Sequence, residues 1–189
     1  MPRNYRACYP GSKFHITSRG IRRSVLFFED EDFNKYLSLL SETKEKLPFI
    51  LHAYCLMPNH VHLLLEIVED STGAIIKQLH YRYARYFNKK YEFTGHLFES
   101  RYGREWIDSR KYELDASKYI HLNPLKAQLV EKPQDYKWSS YRTYYYNQQN
   151  PLIYTHQILS HFENPQSINY DNYINSPVST ADLHEEHQR

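Results

Sequence analysis

The chain has 189 residues, 41% hydrophobic and 24% charged, with a formal net charge of +2. That length suits one domain with a sizeable core and appended segments. Two cysteines (Cys8 and Cys55) are too few for a disulfide framework, and no apolar stretch reaches the roughly 18–20 residues of a membrane helix. The N-terminus lacks a signal-peptide apolar core, so a reducing, cytoplasmic setting is expected. The small net charge conceals an asymmetry. Residues 160–189 hold Glu163, Asp171, Asp182, Glu185 and Glu186 against Arg189 alone, which leaves 23 basic and 17 acidic side chains before them. A basic body carrying most of the 19 tyrosines permits nucleic acid, through phosphate neutralisation and base stacking. Ordinary basic surface over a tyrosine-rich core has the same composition.

In chain order, Phe14-His15-Ile16-Thr17 has strand character and runs into the turn signal Ser18-Arg19-Gly20. Asp30-Glu31-Asp32 suits the start of a helix in which Phe33, Tyr36, Leu37 and Leu40 recur at helical spacing up to Pro48. Phe49 to Leu56 reads as a second strand, and Pro58-Asn59 separates it from a third that carries His60 and His62. A helix over Ser71 to Asn88 would bury Ile75, Ile76, Leu79, Tyr83 and Phe87, with Lys77, Arg82, Arg85 and Lys89 on its other faces. An extended stretch near His96 to Trp106 precedes a third helix. Asp108 or Ser109 would cap it, and it would end near Asn123 because Pro124 discourages continuation.

This order of elements predicts an α+β, ferredoxin-like sandwich with a central antiparallel sheet, helices on one face and an exposed active face. The domain is expected to span 1–142. Asn, Gln, Ser and Pro dominate from Pro151, so 143–189 is expected to be a polar, partly irregular or disordered extension. No glycine-rich phosphate loop is present, which gives no support to a nucleotide cofactor.

His60-Val61-His62 puts two imidazoles on one side of a strand, and neutral imidazole is the commonest protein metal ligand. Downstream, Tyr112, Ala116, Tyr119 and Asn123 share a helix stripe, with Tyr119 one turn before Asn123. A divalent cation on His60, His62 and the Asn123 amide oxygen would keep open positions and act as a Lewis acid on a scissile phosphate. Tyr119 could then serve as nucleophile. Its phenol, with a reference pKa of about 10, must lose a proton on attack. Each part has a structural alternative: a His-x-His on a strand, a packing tyrosine, an asparagine ending a helix before proline.

The combined pattern resembles the HUH single-tyrosine transposases, and most closely the REP-associated tyrosine transposases. It rests on Phe14-His15-Ile16-Thr17-Ser18-Arg19-Gly20, on Met57-Pro58-Asn59-His60-Val61-His62, on Gly95 to Tyr102, on Tyr119-Ile120-His121-Leu122-Asn123-Pro124 and on Trp138-Ser139-Ser140-Tyr141. The resemblance covers roughly residues 1–142. It implies an HUH palm whose central strand carries the histidines, Tyr119 as catalytic nucleophile, and His60, His62 and Asn123 as ligands of Mg or Mn. It further implies cleavage and rejoining of single-stranded DNA beside palindromic hairpins, through a 5′-phosphotyrosine, with a monomer favoured over the dimer of related transposases. Arg19, Arg22, Arg23, Arg82, Arg85, Arg101, Arg104 and Lys126 are the candidate DNA-binding cations, with Tyr81, Tyr86 and Trp106 as candidate stacking surfaces. His121 and Glu66 are expected to be structural or surface residues. The alternatives are an HUH replication initiator, a hairpin-binding protein without catalysis, and a hydrolase that activates water.

Overall fold

In the computed structural model, which describes residues 9–99 and 101–177, the apolar runs pair into one four-stranded sheet. Its strands are β1 (Lys13–Arg19), β2 (Phe49–Met57), β3 (His60–Ile67) and β4 (Gly103–Ile107), in the order β2-β3-β1-β4 and antiparallel throughout. The two helical crossovers, α1 (Asp30–Lys46) and α2 (Thr72–Lys90), complete the ferredoxin-like order. β3 and β1 are the central strands, so the histidine pair sits mid-sheet.

Alternation divides the strands between two faces. Phe14 and Ile16 of β1, with Val61, Leu63, Leu65 and Ile67 of β3, form the apolar layer beneath α1 and α2. All five residues expected on the inner face of α2 are buried. The start of α1 is tied to α2 through Asp32, which is fully buried. It accepts from the Phe28 and Glu29 amides at 2.8 and 3.1 Å, from the Tyr86 and Tyr91 hydroxyls at 2.9 and 2.7 Å, and from Lys90 at 3.0 Å. Burial raises the carboxyl's pKa, but donors from Tyr91, Lys90, Tyr86 and Phe28 outweigh it and leave the group below its ordinary value.

The other face differs from the expected open surface. α3 (Arg110–Lys126) packs across β2, and the chain after it returns along the outer edge of that strand. Leu56 N–H donates to the Trp138 carbonyl (2.9 Å), Ser140 N–H to Tyr54 (3.0 Å) and Tyr154 N–H to Leu51 (2.8 Å). These bonds satisfy an edge that would otherwise be exposed. Half of the second face is therefore covered, and the half around His60 and His62 stays open.

Two further points refine the expectations. α3 continues past Pro124 to Lys126. A proline in the last turn removes only the bond to the Ile120 carbonyl, a loss the end of a helix tolerates. The stretch from Pro151 is irregular in part, at 151–155 and 160–165, but within the described residues it also holds helices. α4 (Tyr141–Tyr145) crosses the expected boundary, and α5 (His156–Leu159) and α6 (Gln166–Asn175) follow it. Polar composition masked a few well-placed anchors: Tyr141, Tyr144, Ile158, Tyr170 and Ile174 are fully buried. Residues 178–189, with most of the acidic tail, lie outside the described residues. No helix among the described residues is long and apolar enough to cross a membrane.

Candidate active site

The open half of the second face holds a cleft of about 260 Å³ lined by Thr17, Ser18, Arg19, His60, His62, Glu99, Arg101, Gly103 and Tyr119. Three strands and α3 contribute to it. Pairing sets Thr17 opposite His62 and Arg19 opposite His60. Gly103 faces Thr17 across the β1–β4 pair, where a Cβ would collide with the Thr17 hydroxyl, so only glycine lets β4 close this wall.

The two histidines are held differently. His60 Nδ1 lies 2.7 Å from the Asn59 side-chain oxygen. An amide oxygen only accepts, so the proton sits on Nδ1 and Nε2 is bare. His62 is buried, with Nδ1 3.0 Å from His15 Nε2 and with Nε2 lacking any hydrogen-bond partner. Burial pushes the His62 pKa well below the usual imidazole value, and His15, His60 and Arg19 add to the effect. His60 is lowered by burial and by Arg19, while the contact with Asn123 partly offsets this. Both rings are thus favoured in the neutral form that ligates metals.

Helical spacing brings α3 to the same point. The Tyr119 ring is 5.4 Å from the His62 ring, nearly perpendicular to it, and 5.8 Å from that of His15. The Asn123 amide nitrogen donates to the Tyr119 carbonyl at 2.9 Å. Its side chain also reaches the His60 ring. The His60 ring, the orphaned Nε2 of His62 and the Asn123 amide beside them bring three groups with lone pairs to one point. That set fits a divalent cation. No group of three His, Cys, Asp or Glu side chains among the described residues is placed to hold a metal.

The expected cations divide into two sets. Arg19 and Arg101 line the cleft, and Lys126 lies over the Tyr119 ring with Nζ 4.7 Å from its centre. Arg22 and Arg23 are exposed on the turn after β1, both with left-handed backbone (φ 50° and 61°). The others belong to the α1/α2 side. Arg82 is ion-paired with Glu42 of α1. Arg85 stacks on the exposed Tyr81 ring at 5.7 Å. Arg104 lies over the Phe14 ring at 5.0 Å and reaches the Thr72 hydroxyl at 3.4 Å. Tyr86 serves the Asp32 network, whereas Tyr81 and Trp106 are exposed. Glu66 pairs with the buried His52 at 3.0 Å, and His121 is buried and structural. His15, Thr17 and Glu99 escaped the sequence reading. The alternation His15, Thr17, Arg19 on β1 was the available signal.

Sheet order and cleft together define an α+β palm in which paired histidines face a helix-borne tyrosine. The chain belongs to the IS200-like transposase family, whose model matches residues 8–123, from just before β1 to Asn123. It is 25% identical over 150 residues to a Haemophilus influenzae protein described as a REP-associated tyrosine transposase, covering 73% of this chain and 85% of that protein. Its fold matches a solved REP-associated tyrosine transposase bound to a REP hairpin, with a TM-score of 0.68 and 18% identity over 82% of this chain and 91% of the other. The likeness to REP-associated transposases and the ferredoxin-like fold expected from the motifs are both borne out.

Proposed function

We propose that this protein is a metal-dependent endonuclease and strand-transferase for single-stranded DNA, acting beside hairpins as a monomer. The observation that carries this reading is the convergence of Tyr119, His60 and His62, whose Nε2 is unpartnered, on one cleft rimmed by arginine, with Asn123 against His60. Hairpin DNA enters by analogy with the REP hairpin held by the solved relative.

In the proposed reaction the Tyr119 hydroxyl oxygen attacks the scissile phosphorus. A bond forms between phosphorus and the phenolic oxygen, and the bond to the 3′ oxygen breaks. The departing strand leaves as a 3′-hydroxyl after taking up a proton, and the phenolic proton passes to solvent. The 5′-phosphotyrosine conserves the bond energy, so an incoming 3′-hydroxyl can reverse the step without ATP. Arg19 and Arg101 hold the phosphates on either side of the reacting one. Lys126, over the face of the Tyr119 ring, adds a positive charge to the cleft. His60, His62 and Asn123 would hold Mg or Mn, which when bound supplies Lewis-acid stabilisation of charge on the phosphate oxygens.

The test uses end-labelled single-stranded hairpins from the DNA flanking this protein's own coding sequence. With Mn or Mg the wild type should nick them, and EDTA should stop it. His60→Ala combined with His62→Ala should abolish nicking and leave hairpin affinity within a few-fold. Nicking that survives the double variant would remove the histidines from the mechanism. Binding without any nicking by the wild type would indicate a recognition protein without catalysis.

A further inference from the structure

His15 is a buried imidazole that neither packing nor the reaction above explains. It lies on β1, on the cleft side of the sheet, 6% exposed, with its ring centre 5.2 Å from that of His62 and the planes 26° apart. Its Nε2 is 3.0 Å from His62 Nδ1. Its Nδ1 is 3.6 Å from a carboxylate oxygen of Glu105, the residue opposite it on β4. The same oxygen accepts the Tyr112 hydroxyl at 2.9 Å, and Tyr112 lies two turns before Tyr119 on α3. A chain of polar contacts therefore runs from α3 through β4 and β1 to the central strand, and it ends at a buried nitrogen with no partner.

Hydrogen-bond polarity gives this chain a direction. Glu105 at 3.6 Å lies beyond hydrogen-bond length, but its negative charge favours the His15 proton on Nδ1, the side that faces it. Its Nε2 is then bare and can only accept, so the His62 proton must sit on Nδ1. His62 Nε2 is left as a lone pair, the state in which a buried nitrogen without a partner is least costly and in which it can ligate a cation. An isolated histidine side chain prefers the opposite tautomer, with the proton on Nε2, so His62 needs a partner to reverse that preference. His60 achieves the same result through Asn59. Both histidines of the pair thus have Nδ1 engaged, one by a loop amide and the other by His15, which leaves Nε2 of each for the cleft.

We propose that His15 is a positioning residue that fixes the tautomer and ring orientation of His62, so that the Nε2 lone pair is presented to the cation site. The inference rests on the metal-site reading above, and it concerns a residue that would itself touch neither metal nor DNA. With Nε2 against His62, Nδ1 turned toward Glu105 and its ring in an edge contact with Tyr119, His15 is poorly placed to take the Tyr119 proton.

The test reads the tautomer directly, on full-length protein with 15N-labelled histidine, without metal or DNA, by long-range 1H–15N correlation. Wild-type His62 should be protonated on Nδ1 and bare on Nε2. His15→Phe, which keeps a ring but offers no acceptor, should move the proton to Nε2. His15→Gln, whose amide oxygen can accept, should restore the wild-type tautomer. Mn(II) affinity, read by electron paramagnetic resonance, should fall about 10–100-fold in His15→Phe and recover largely in His15→Gln. Glu105→Ala alters a 56%-exposed side chain, so it tests the relay even if His15→Phe does not fold; it should give a mixture of His62 tautomers. A wild-type His62 protonated on Nε2, or a tautomer unmoved by these substitutions, would overturn the proposal. A wild type that binds no Mn(II) would instead contradict the metal site, while the spectra would still decide the role of His15.

Discussion

The two sides of α3 bury histidine to opposite ends. On the rear, His121 has Nδ1 2.7 Å from the Tyr170 hydroxyl and Nε2 2.7 Å from the Ser140 hydroxyl, so both nitrogens are satisfied. Its neighbour Lys118 is spent on the C-terminal end of α6, contacting the Tyr173 and Ser176 carbonyls at 2.8 Å each and the Ser176 hydroxyl at 2.9 Å. On the front, His62 faces Tyr119 with one nitrogen bonded and the other without a partner. The rear closes its polar groups against one another and gains a rigid anchor; the front leaves lone pairs unmatched and gains a place for a ligand. Burial alone does not separate the two, since both imidazoles lie below 5% exposure. Hydrogen-bond completeness does.

That contrast breaks most visibly in stability. His121→Ala removes two buried hydrogen bonds and leaves a cavity, and should cost about 2–4 kcal/mol. Urea melts should register the loss, with nicking retained at temperatures where the variant is folded.

Acid should act through the rear and through α2 as well. Burial pushes the His121 pKa down to about 3, and that of His80, stacked on Phe98, likewise to about 3. Both folded values lie below the unfolded value near 6.5, so the neutral form is the one the fold favours. The stabilisation is complete above pH about 6.5 and is lost as pH falls toward 3, by up to about 1.4 kcal/mol per pH unit for each group. Melts between pH 8 and 4.5 should show this slope, and His121→Gln should make it shallower.

Among the arginines the effects are smaller and should diverge. Arg19→Ala should weaken hairpin binding several-fold and reduce the salt dependence by about one phosphate contact. Arg82→Ala breaks a partly exposed ion pair and should cost no more than about 1 kcal/mol of stability, with hairpin affinity unchanged. Equal losses of affinity in both, measured by titration at two salt concentrations, would contradict the division of cations between the faces.

What the sequence disclosed followed from local periodicity. A period of two placed His60 and His62 on one side of β3, and helical spacing aligned Tyr119 with Asn123. The buried face of α2 was legible for the same reason. The His15–His62 contact was not, because it depends on a register between strands 47 residues apart. Arg82 and Arg104 were visible as charges, but their partners Glu42 and Thr72 come from distant elements. The C-terminal helices were hidden by composition. α6 docks through Tyr170 and Ile174, one turn apart, and through polar groups that meet Lys118, His121 and, from Tyr173, Asp115 at 2.7 Å.

The central claim is that Tyr119 forms the covalent bond to DNA. The direct measurement incubates labelled hairpin substrate with Mn and wild-type protein, isolates SDS-resistant protein–DNA adducts, and maps the modified residue by mass spectrometry after nuclease and protease digestion. A phosphotyrosyl linkage at Tyr119, with adduct and nick both absent in a folded Tyr119→Phe variant, is the expected result. Equal nicking by Tyr119→Phe, or an adduct on another residue, would contradict it.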